Sequence, residues 1–240
     1  MKRNFNQLTS TNYEKDYFTS KKISRYGDYQ KLQNSRSHQD LLDLILSQKA
    51  GGNLLEIGCA YGFFLKHAEN YFNSTGIDIS NFAIKKAKNN CLKSNLSVGD
   101  IETEIDKYPN NYFDVIVAID VLEHLQNPSL LLSKISKKLK KGGLIFFRVP
   151  NKSSLIYYLS KFPGMSNSWC GNQDKTHISL YSVNKWINII NKNGFNCRTY
   201  SAIPSYFMRT LLNSIGIKKI FYQNLFLPFN LNVIFLCKKL

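Results

Sequence analysis

Short apolar runs alternate with segments of helical periodicity along the middle of the chain. The apolar runs predict strands at NLLEIG (53–58), STGIDIS (74–80), NLSVGD (95–100), YFDVIVAID (112–120) and GGLIFFRVPN (142–151). Between them, apolar residues at helical spacing predict helices at GFFLKHAENYF (62–72), NFAIKKAKNN (81–90) and PSLLLSKISKKLKK (128–141). Strands that are apolar throughout and alternate with helices indicate an α/β fold whose parallel sheet is covered on both faces.

The regular alternation of predicted strands and helices is lost on either side of this region. Residues 38–49 have helical spacing, so we predict an N-terminal helical cap over 1–45 and a ligand-binding core over 46–150. Residues 151–181 predict a long loop, which in a compact domain is usually functional. A helix (182–194), a strand (195–202), one or two amphipathic helices (204–228) and a last strand (231–240) follow. We expect residues 151–240 to complete the same single domain.

The composition narrows the class of protein. The 240 residues contain no apolar run long enough to span a membrane, and the N-terminus lacks the apolar core of a secretory signal, so we expect a cytoplasmic protein. The five cysteines are far apart and form no C-x-x-C pair, which argues against a disulfide framework or a zinc site. No cluster of acids predicts another metal site.

The charge is the unusual feature of the composition. The chain has 32 basic and 16 acidic residues, a net charge of +16. Such an excess suits nucleic acid, an anionic membrane surface or a phosphorylated substrate. Base composition explains it equally well, because Lys, Asn, Ile and Ser are abundant throughout. The charge alone therefore leaves the partner open.

The turn NLLEIGCAYGFFL (53–65) lies where an open α/β sheet binds its ligands, at the carboxyl end of a strand. A dinucleotide fingerprint, G-x-G-x-x-G, aligned on Gly58 would place Ala60 and Phe63 at its other glycine positions. Phe63 would crowd the contact between helix and strand, and Glu56 would repel a pyrophosphate. The turn favours a ligand that has no phosphate and has a positive group near Glu56, as S-adenosylmethionine does.

Acids at the ends of the next strands support the same ligand. Asp78 ends the second predicted strand, where an acid can accept from both ribose hydroxyls. Asp100 follows the third, where a carboxylate can accept from the adenine amino group. Asp120 ends the fourth, beside the expected methionine part of the ligand.

These stretches together resemble the class I S-adenosylmethionine-dependent methyltransferases, especially the branches that methylate sugars or glycans and ubiquinone precursors. The matching motifs are LLEIGCAYGFFL, STGIDIS, VGDI, FDVIVAIDVLEHL, LKKGGLIFFRVPN and HISLYSVNKWINIINKNGF, and they cover roughly residues 45–200. The resemblance implies a Rossmann-like, doubly wound, seven-stranded sheet with the last strand antiparallel. It also implies that the cofactor is S-adenosylmethionine and the product S-adenosylhomocysteine.

The resemblance carries cofactor roles to particular positions. The turn would hold the methionine and ribose ends, Asp78 the ribose, and Asp100 and Asp120 the adenine and methionine sides. The predicted cofactor-binding residues are Glu56, Gly58, Cys59, Ala60, Gly62, Asp78, Ile79, Asp100, Ile101 and Asp120. Ala60 departs from the family pattern, which commonly has Gly there, and its methyl group would narrow the turn.

Two histidines are candidates for the base that a hydroxyl acceptor needs. His124, in VLEHL, follows the fourth strand, and His177 precedes the helix that leads to the sixth strand, where related methyltransferases carry a histidine. His38 and His67 fall on predicted helices and are interpreted as packing or surface residues. We predict that Tyr17, Asn151 and Asp174 bind the acceptor, with Tyr13, Tyr17 and Phe18 as an aromatic lid. Helix packing, or a turn role for Asn151, is the alternative.

The prediction of the acceptor depends on the loop after the fifth predicted strand. The polar loop 151–181 with its aromatic residues suits a small polar ring such as a sugar, stacked on Tyr or Trp169. We therefore expect O-methylation of a small molecule or glycan precursor. The alternatives are a quinone or other lipid ring, which needs an apolar pocket, and a non-catalytic cofactor-binding fold. Nucleic acid is not expected, because AIDVLEH lacks the Asn/Asp-Pro-Pro-aromatic motif. Segment 204–228 could rest on an anionic membrane at the inner face, cover the site or pack a dimer.

Overall fold

The computed structural model describes residues 13–20, 28–165, 170–174, 176–202, 221–223 and 230–240. These residues form one mixed sheet with helices on both faces. The strands are β1 (Asn53–Ile57), β2 (Asn73–Asp78), β3 (Asn95–Val98), β4 (Phe113–Ile119), β5 (Leu139–Pro150), β6 (Phe195–Ala202), β7 (Phe221–Gln223) and β8 (Asn232–Lys239). The helices are α1 (Lys15–Thr19), α2 (Arg36–Leu46), α3 (Leu65–Ala68), α4 (Asn81–Asn90), α5 (Ile101–Glu104), α6 (Pro128–Lys138), α7 (Leu155–Leu159), α8 (Cys170–Gln173) and α9 (Val183–Lys192).

The strand order is β3-β2-β1-β4-β5-β8-β6-β7. The first five strands pair in parallel, and β8 lies antiparallel between β5 and β6. This confirms the predicted doubly wound sheet of seven strands with the last one antiparallel. The short strand β7 is added at the edge beside β6.

Each face of the sheet has its own core. On one face the buried side chains of α6 and α9, including Leu131, Ile135 and Trp186, pack against β4, β5 and β8. On the other face α2, α3 and α4 contribute Leu42, Leu65 and Ile84. Burial on both faces explains why β4, FDVIVAI, is apolar at every position but one.

Three predicted elements differ from the structure. The helix predicted over 62–72 is only the four residues of α3, because Gly62 has φ 74° and still belongs to the turn. Helix α6 ends at Lys138 because Leu139 pairs with Phe113, so the residues predicted as its last turn belong to β5. Residues 221–223 form β7, not a helix, and the rest of segment 204–228 lies outside the described residues.

None of the helices in the described ranges has the length and apolar content that crossing a bilayer requires. Residues 13–20 and 28–46 are mostly helical. Residues 1–12 and 21–27 of that cap lie outside the described ranges.

Candidate active site

The turn after β1 follows an unusual backbone path. Gly58, Ala60 and Gly62 have φ values of 69°, 47° and 74°, in the left-handed region. The backbone N–H of Gly58 donates to Ile77 O at 2.8 Å, and that of Ala60 donates to Asp78 Oδ2 at 2.7 Å. The turn is therefore tied to the end of β2, and Asp78 is held in place by the backbone it faces.

The main cavity beside this turn lies at the carboxyl ends of the parallel strands, as expected for the fold. Its volume is about 1020 Å³. The structure brings nine of the predicted site residues to its walls: Tyr17, Gly58, Ala60, Asp78, Ile79, Asp100, Ile101, Asp120 and His124. Tyr13, Phe18 and Tyr29 of the N-terminal cap also line it.

The acids on the side of β2 and β3 already accept backbone hydrogen bonds. Asp78 Oδ1 accepts from the Ser80 N–H at 2.9 Å and its Oδ2 from Ala60. Burial nevertheless raises the pKa of Asp78 to about 6. Asp100 Oδ1 accepts from the Glu102 N–H at 2.9 Å and begins α5. Each carboxylate oxygen has a second lone pair, so both acids keep capacity for a ligand.

Glu56 lines a second, adjoining cavity of about 650 Å³. The two cavities share walls at Tyr29, Gly58 and Ile119. Glu56 is 3% exposed, its Oε2 has no hydrogen-bond partner, and burial raises its pKa well above the usual range. A buried carboxylate oxygen without a partner costs free energy, which a cationic ligand would recover.

Two residues of the second cavity were not predicted from the sequence. Arg148 of β5 and His38 of α2 line it together with Glu56 and Cys59. Burial, followed by the charge of Arg148, lowers the pKa of His38 to about 4. His38 is therefore a cavity residue and not a surface residue. An arginine within an otherwise apolar strand, FFRVP, was the sequence signal that could have identified Arg148.

Gly62 and Asn151, two of the predicted ligand-binding residues, line neither cavity. A side chain at Gly62 would overlap Cys91 Sγ and crowd Ala87, so this glycine permits close packing of the turn on α4. Asn151 is fully buried; its Nδ2 donates to Asn230 O at 3.2 Å and its Oδ1 accepts from the Ser153 N–H at 3.0 Å. Asn151 therefore braces the turn after β5, which was the alternative interpretation.

His124 lines the main cavity and begins a series of hydrogen bonds that runs behind the cavity wall. Its Nδ1 is 2.9 Å from Thr176 Oγ1 and 3.3 Å from Thr176 O. The Thr176 hydroxyl donates to Asp174 Oδ1 at 2.6 Å, and Tyr17 donates to Asp174 Oδ2 at 3.2 Å. Asp174, predicted to touch the acceptor, lines neither cavity and instead holds Thr176 and Tyr17.

His177 also lies behind the wall of the main cavity. Its Nδ1 is 3.1 Å from Gly171 O, and its Nε2 is 3.9 Å from Glu123 Oε1. The two imidazole rings of His124 and His177 are 4.7 Å apart between centroids. Glu123, His124 and His177 each offer a metal-ligand atom within 4.8 Å of the others, a grouping that the sequence did not predict. Trp169, predicted to stack on the acceptor, lies outside the described residues.

Comparison with known proteins identifies the class. A sequence model of the family described as "Methyltransferase domain" matches residues 28–200. The structure resembles that of a SAM-dependent methyltransferase from Archaeoglobus fulgidus, with a TM-score of 0.63 and 22% identity over 87% of this chain and 96% of that one. The chain belongs to the class I S-adenosylmethionine-dependent methyltransferases, and S-adenosylmethionine is the cofactor of that class.

The curated relatives match a smaller part of the chain. A "Ubiquinone biosynthesis O-methyltransferase" from Idiomarina loihiensis is 32% identical over 43% of this chain and 44% of its own. A "Phosphoethanolamine N-methyltransferase" from Triticum aestivum is 34% identical over 51% of this chain and 25% of its own. The chain thus spans less than half of either relative.

The residues present fit S-adenosylmethionine. Glu56 offers a buried, unsatisfied carboxylate oxygen for an ammonium group, and Arg148, whose Nε and Nη2 hold Asp120, adds positive charge in the same cavity for a carboxylate. Asp78 and Asp100 line the adjoining cavity, together with the apolar walls Ile79 and Ile101. The two joined cavities therefore match a ligand with an amino-acid end and a nucleoside end.

Proposed function

We propose that this protein transfers a methyl group from S-adenosylmethionine to a hydroxyl group on the ring of a small acceptor. The observation that carries the proposal is His124, a buried imidazole on the wall of the cofactor cavity with one ring nitrogen held by Thr176. A base at this place can take the proton of a hydroxyl nucleophile.

The hydrogen bonds of Thr176 assign the tautomer of His124. Because the Thr176 hydroxyl donates to Asp174, Thr176 Oγ1 can only accept from the imidazole. The Thr176 carbonyl also can only accept. Nδ1 of His124 is therefore the protonated nitrogen, and Nε2 has the lone pair that a base requires.

The surroundings of His124 keep it unprotonated. Burial, and next the neighbouring His177, lower the pKa of His124 to about 4. The imidazole is thus neutral across the physiological range and can accept a proton. A base this weak contributes mainly by position, because it accepts the proton as the hydroxyl attacks and not before.

When bound, S-adenosylmethionine supplies an electrophilic methyl group on a sulfonium. Glu56 and Arg148 would hold its amino-acid end, and Asp78 and Asp100 its ribose and adenine. Tyr13, Tyr17 and Phe18 cover the cavity and exclude water from the reacting groups. These residues bind and orient, and His124 removes the proton.

A ring hydroxyl of a quinone precursor or similar lipid is the acceptor that the observations favour. Tyr13 and Tyr17 present their ring edges to His124, with centroid distances of 5.8 and 6.5 Å, and form an aromatic wall beside the base. The relatives named ubiquinone biosynthesis O-methyltransferases point the same way. The glycan acceptor, predicted from the polar loop 151–181 and its aromatic residues, is the second candidate.

The test is transfer of radiolabelled methyl groups from S-adenosylmethionine into an extract of the host, separated into lipid, nucleotide-sugar, polymer and RNA fractions. We expect label in the lipid fraction, lost with His124→Gln and kept with His67→Gln, which replaces a histidine outside both cavities. Label in the nucleotide-sugar or polymer fraction would replace the lipid acceptor with a glycan. Cofactor binding without label in any fraction would refute methyl transfer and favour the non-catalytic fold.

A further inference from the structure

The segment from Lys152 to Met165, which includes α7, presents apolar side chains to solvent. We propose that this docking surface (152–165) binds an anionic lipid bilayer. The docking itself stands independently of the proposed reaction, whereas its link to a lipid acceptor rests on that proposal.

The exposure of this surface is exceptional within the described residues. Tyr158 is 58% exposed and Phe162 60%, and Leu155, Leu159 and Met165 are also exposed. Leu155, Tyr158 and Leu159 share one face of α7 at helical spacing, and Phe162 and Met165 follow in the turn after it. Other large exposed apolar residues of the described part, such as Tyr71, Leu92 and Leu130, are scattered along the chain. Five exposed apolar side chains within one short segment mark an interaction site.

Cations accompany the apolar side chains. Lys152 Nζ lies 5.7 Å and Lys161 Nζ 4.6 Å from the centroid of the Tyr157 ring. The segment 152–165 contains no Asp or Glu. Lysines beside exposed aromatic and aliphatic side chains are the combination that binds at the interface of an anionic bilayer.

The net charge of the whole chain is positive, like that of the docking surface. Residues 124–240 contain 17 Lys and Arg residues and a single acid, Asp174, whereas residues 1–123 contain 15 basic and 15 acidic residues. The entire net charge of +16 therefore belongs to the half of the chain that carries the docking surface. Base composition alone would be expected to spread the excess over both halves.

The apolar residues of the docking surface favour an anionic bilayer over RNA as its partner. The lysines could bind the phosphate groups of RNA, but Leu155, Leu159 and Met165 offer these groups neither charge nor hydrogen bonds. A bilayer takes both kinds of side chain, since the lysines meet the headgroups and the apolar residues enter the acyl boundary. A second copy of this strongly basic chain would bring like charges together.

The docking surface adjoins the acceptor side of the site. Ser160 Oγ accepts from Asn172 Nδ2 at 3.3 Å, and two residues further along the chain Asp174 holds the Thr176 hydroxyl that contacts His124. Lys152 Nζ donates to Leu180 O at 3.2 Å. Docking would therefore hold the segment that carries Thr176 and His177 near the bilayer, where a lipid acceptor is dissolved. The membrane contact predicted for 204–228 concerned a different segment.

Sedimentation of the full chain with vesicles tests the proposal without an acceptor. We expect binding to phosphatidylcholine vesicles that contain phosphatidylglycerol, little binding to phosphatidylcholine alone, and weakening by salt. Combining Lys152→Gln with Lys161→Gln should weaken binding about thirtyfold, since each lysine near an anionic surface contributes about 1 kcal/mol. Combining Leu155→Ser with Phe162→Ser should weaken it about tenfold or more.

The matched control is Leu92→Ser. Leu92 is an exposed leucine just after α4, outside the docking surface, so its replacement should leave vesicle binding unchanged. Leu92, Leu155, Lys161 and Phe162 are exposed and Lys152 is partly buried, so the thermal melting of the leucine and phenylalanine variants should match that of the wild type. Unchanged binding by the Leu155→Ser, Phe162→Ser variant would overturn the docking surface. Binding to RNA but not to vesicles would also overturn it. Vesicle binding by wild type in the absence of methyl transfer would leave docking intact and refute only the proposed reaction.

Discussion

Arg148 holds Asp120 with two parallel hydrogen bonds, from Nε to Oδ1 at 2.8 Å and from Nη2 to Oδ2 at 2.6 Å. Asp120 follows β4 with a φ of 55°, and it lines the main cavity while Arg148 lines the second. The pair therefore joins the two cavities. It also shows that Asp120 is engaged by a protein cation at the place where the sequence predicts a ligand-binding acid.

Replacing Arg148 by lysine should weaken both the fold and cofactor binding. Lysine keeps the charge but cannot make the bidentate contact, and we expect a loss of about 2 kcal/mol in the free energy of unfolding. Denaturant unfolding and calorimetric titration with S-adenosylmethionine measure the two effects. The control Lys107→Gln breaks the exposed pair with Glu104 and should cost less than about 1 kcal/mol. Equal losses in both variants would contradict a special role for Arg148.

Cofactor affinity should rise with pH as Asp78 ionises. The pKa of Asp78 is raised to about 6, so at lower pH its carboxyl is protonated and accepts hydrogen bonds less well. Titration calorimetry between about pH 5 and about pH 7.5 should show the increase around that pKa. Asp78→Asn should bind more weakly, with a flatter pH profile. A wild-type affinity that falls as pH rises through 6 would contradict the assignment.

The same raised pKa has an opposite consequence for stability. The folded protein binds the Asp78 proton more tightly than the unfolded chain does, so this group favours folding most at low pH. Its contribution is lost as pH rises from the ordinary aspartate pKa, about 4, to about 6. Comparing wild type with Asp78→Asn by thermal unfolding across that window isolates this contribution from those of other carboxyl groups.

Gly62→Ala should destabilise the fold far more than Gly164→Ala. Both glycines have positive φ, 74° and 79°, so both substitutions strain the backbone by about 1 kcal/mol. Only at Gly62 would the new methyl group overlap Cys91, whereas nothing lies within 4 Å of the methyl group at Gly164. We expect a loss of about 3 kcal/mol at Gly62, measured by denaturant unfolding. Similar losses at both positions would mean that α4 shifts without cost.

Thr176→Val should lower the rate of methyl transfer while leaving cofactor affinity unchanged. Valine has the shape of threonine but cannot relay the hydrogen bond from His124 to Asp174. Thr176→Ser keeps the hydroxyl and should restore most of the rate. An unchanged rate of methyl transfer in Thr176→Val would contradict the relay.

Part of this protein could be predicted from the sequence because it depends on local pattern. Apolar strands bounded by polar turns predicted β1, β2, β4 and their order in the chain. Acids at strand ends, such as Asp78 and Asp100, must meet at one edge of a parallel sheet, so their place beside one cavity followed from their position in the motifs. The small residues after β1 predicted the turn itself.

The rest was decided by contacts between segments that are distant in sequence. Arg148 meets Asp120 because β4 and β5 are neighbours, and Thr176 reaches His124 across a separation of 52 residues. His38 and Glu56 line one cavity although they belong to different elements, α2 and β1. Sequence periodicity assigns a face to a side chain but does not name its partner. Whether a polar residue binds a ligand, as Glu56 can, or braces a turn, as Asn151 does, depends on which hydrogen bonds the tertiary structure has already satisfied.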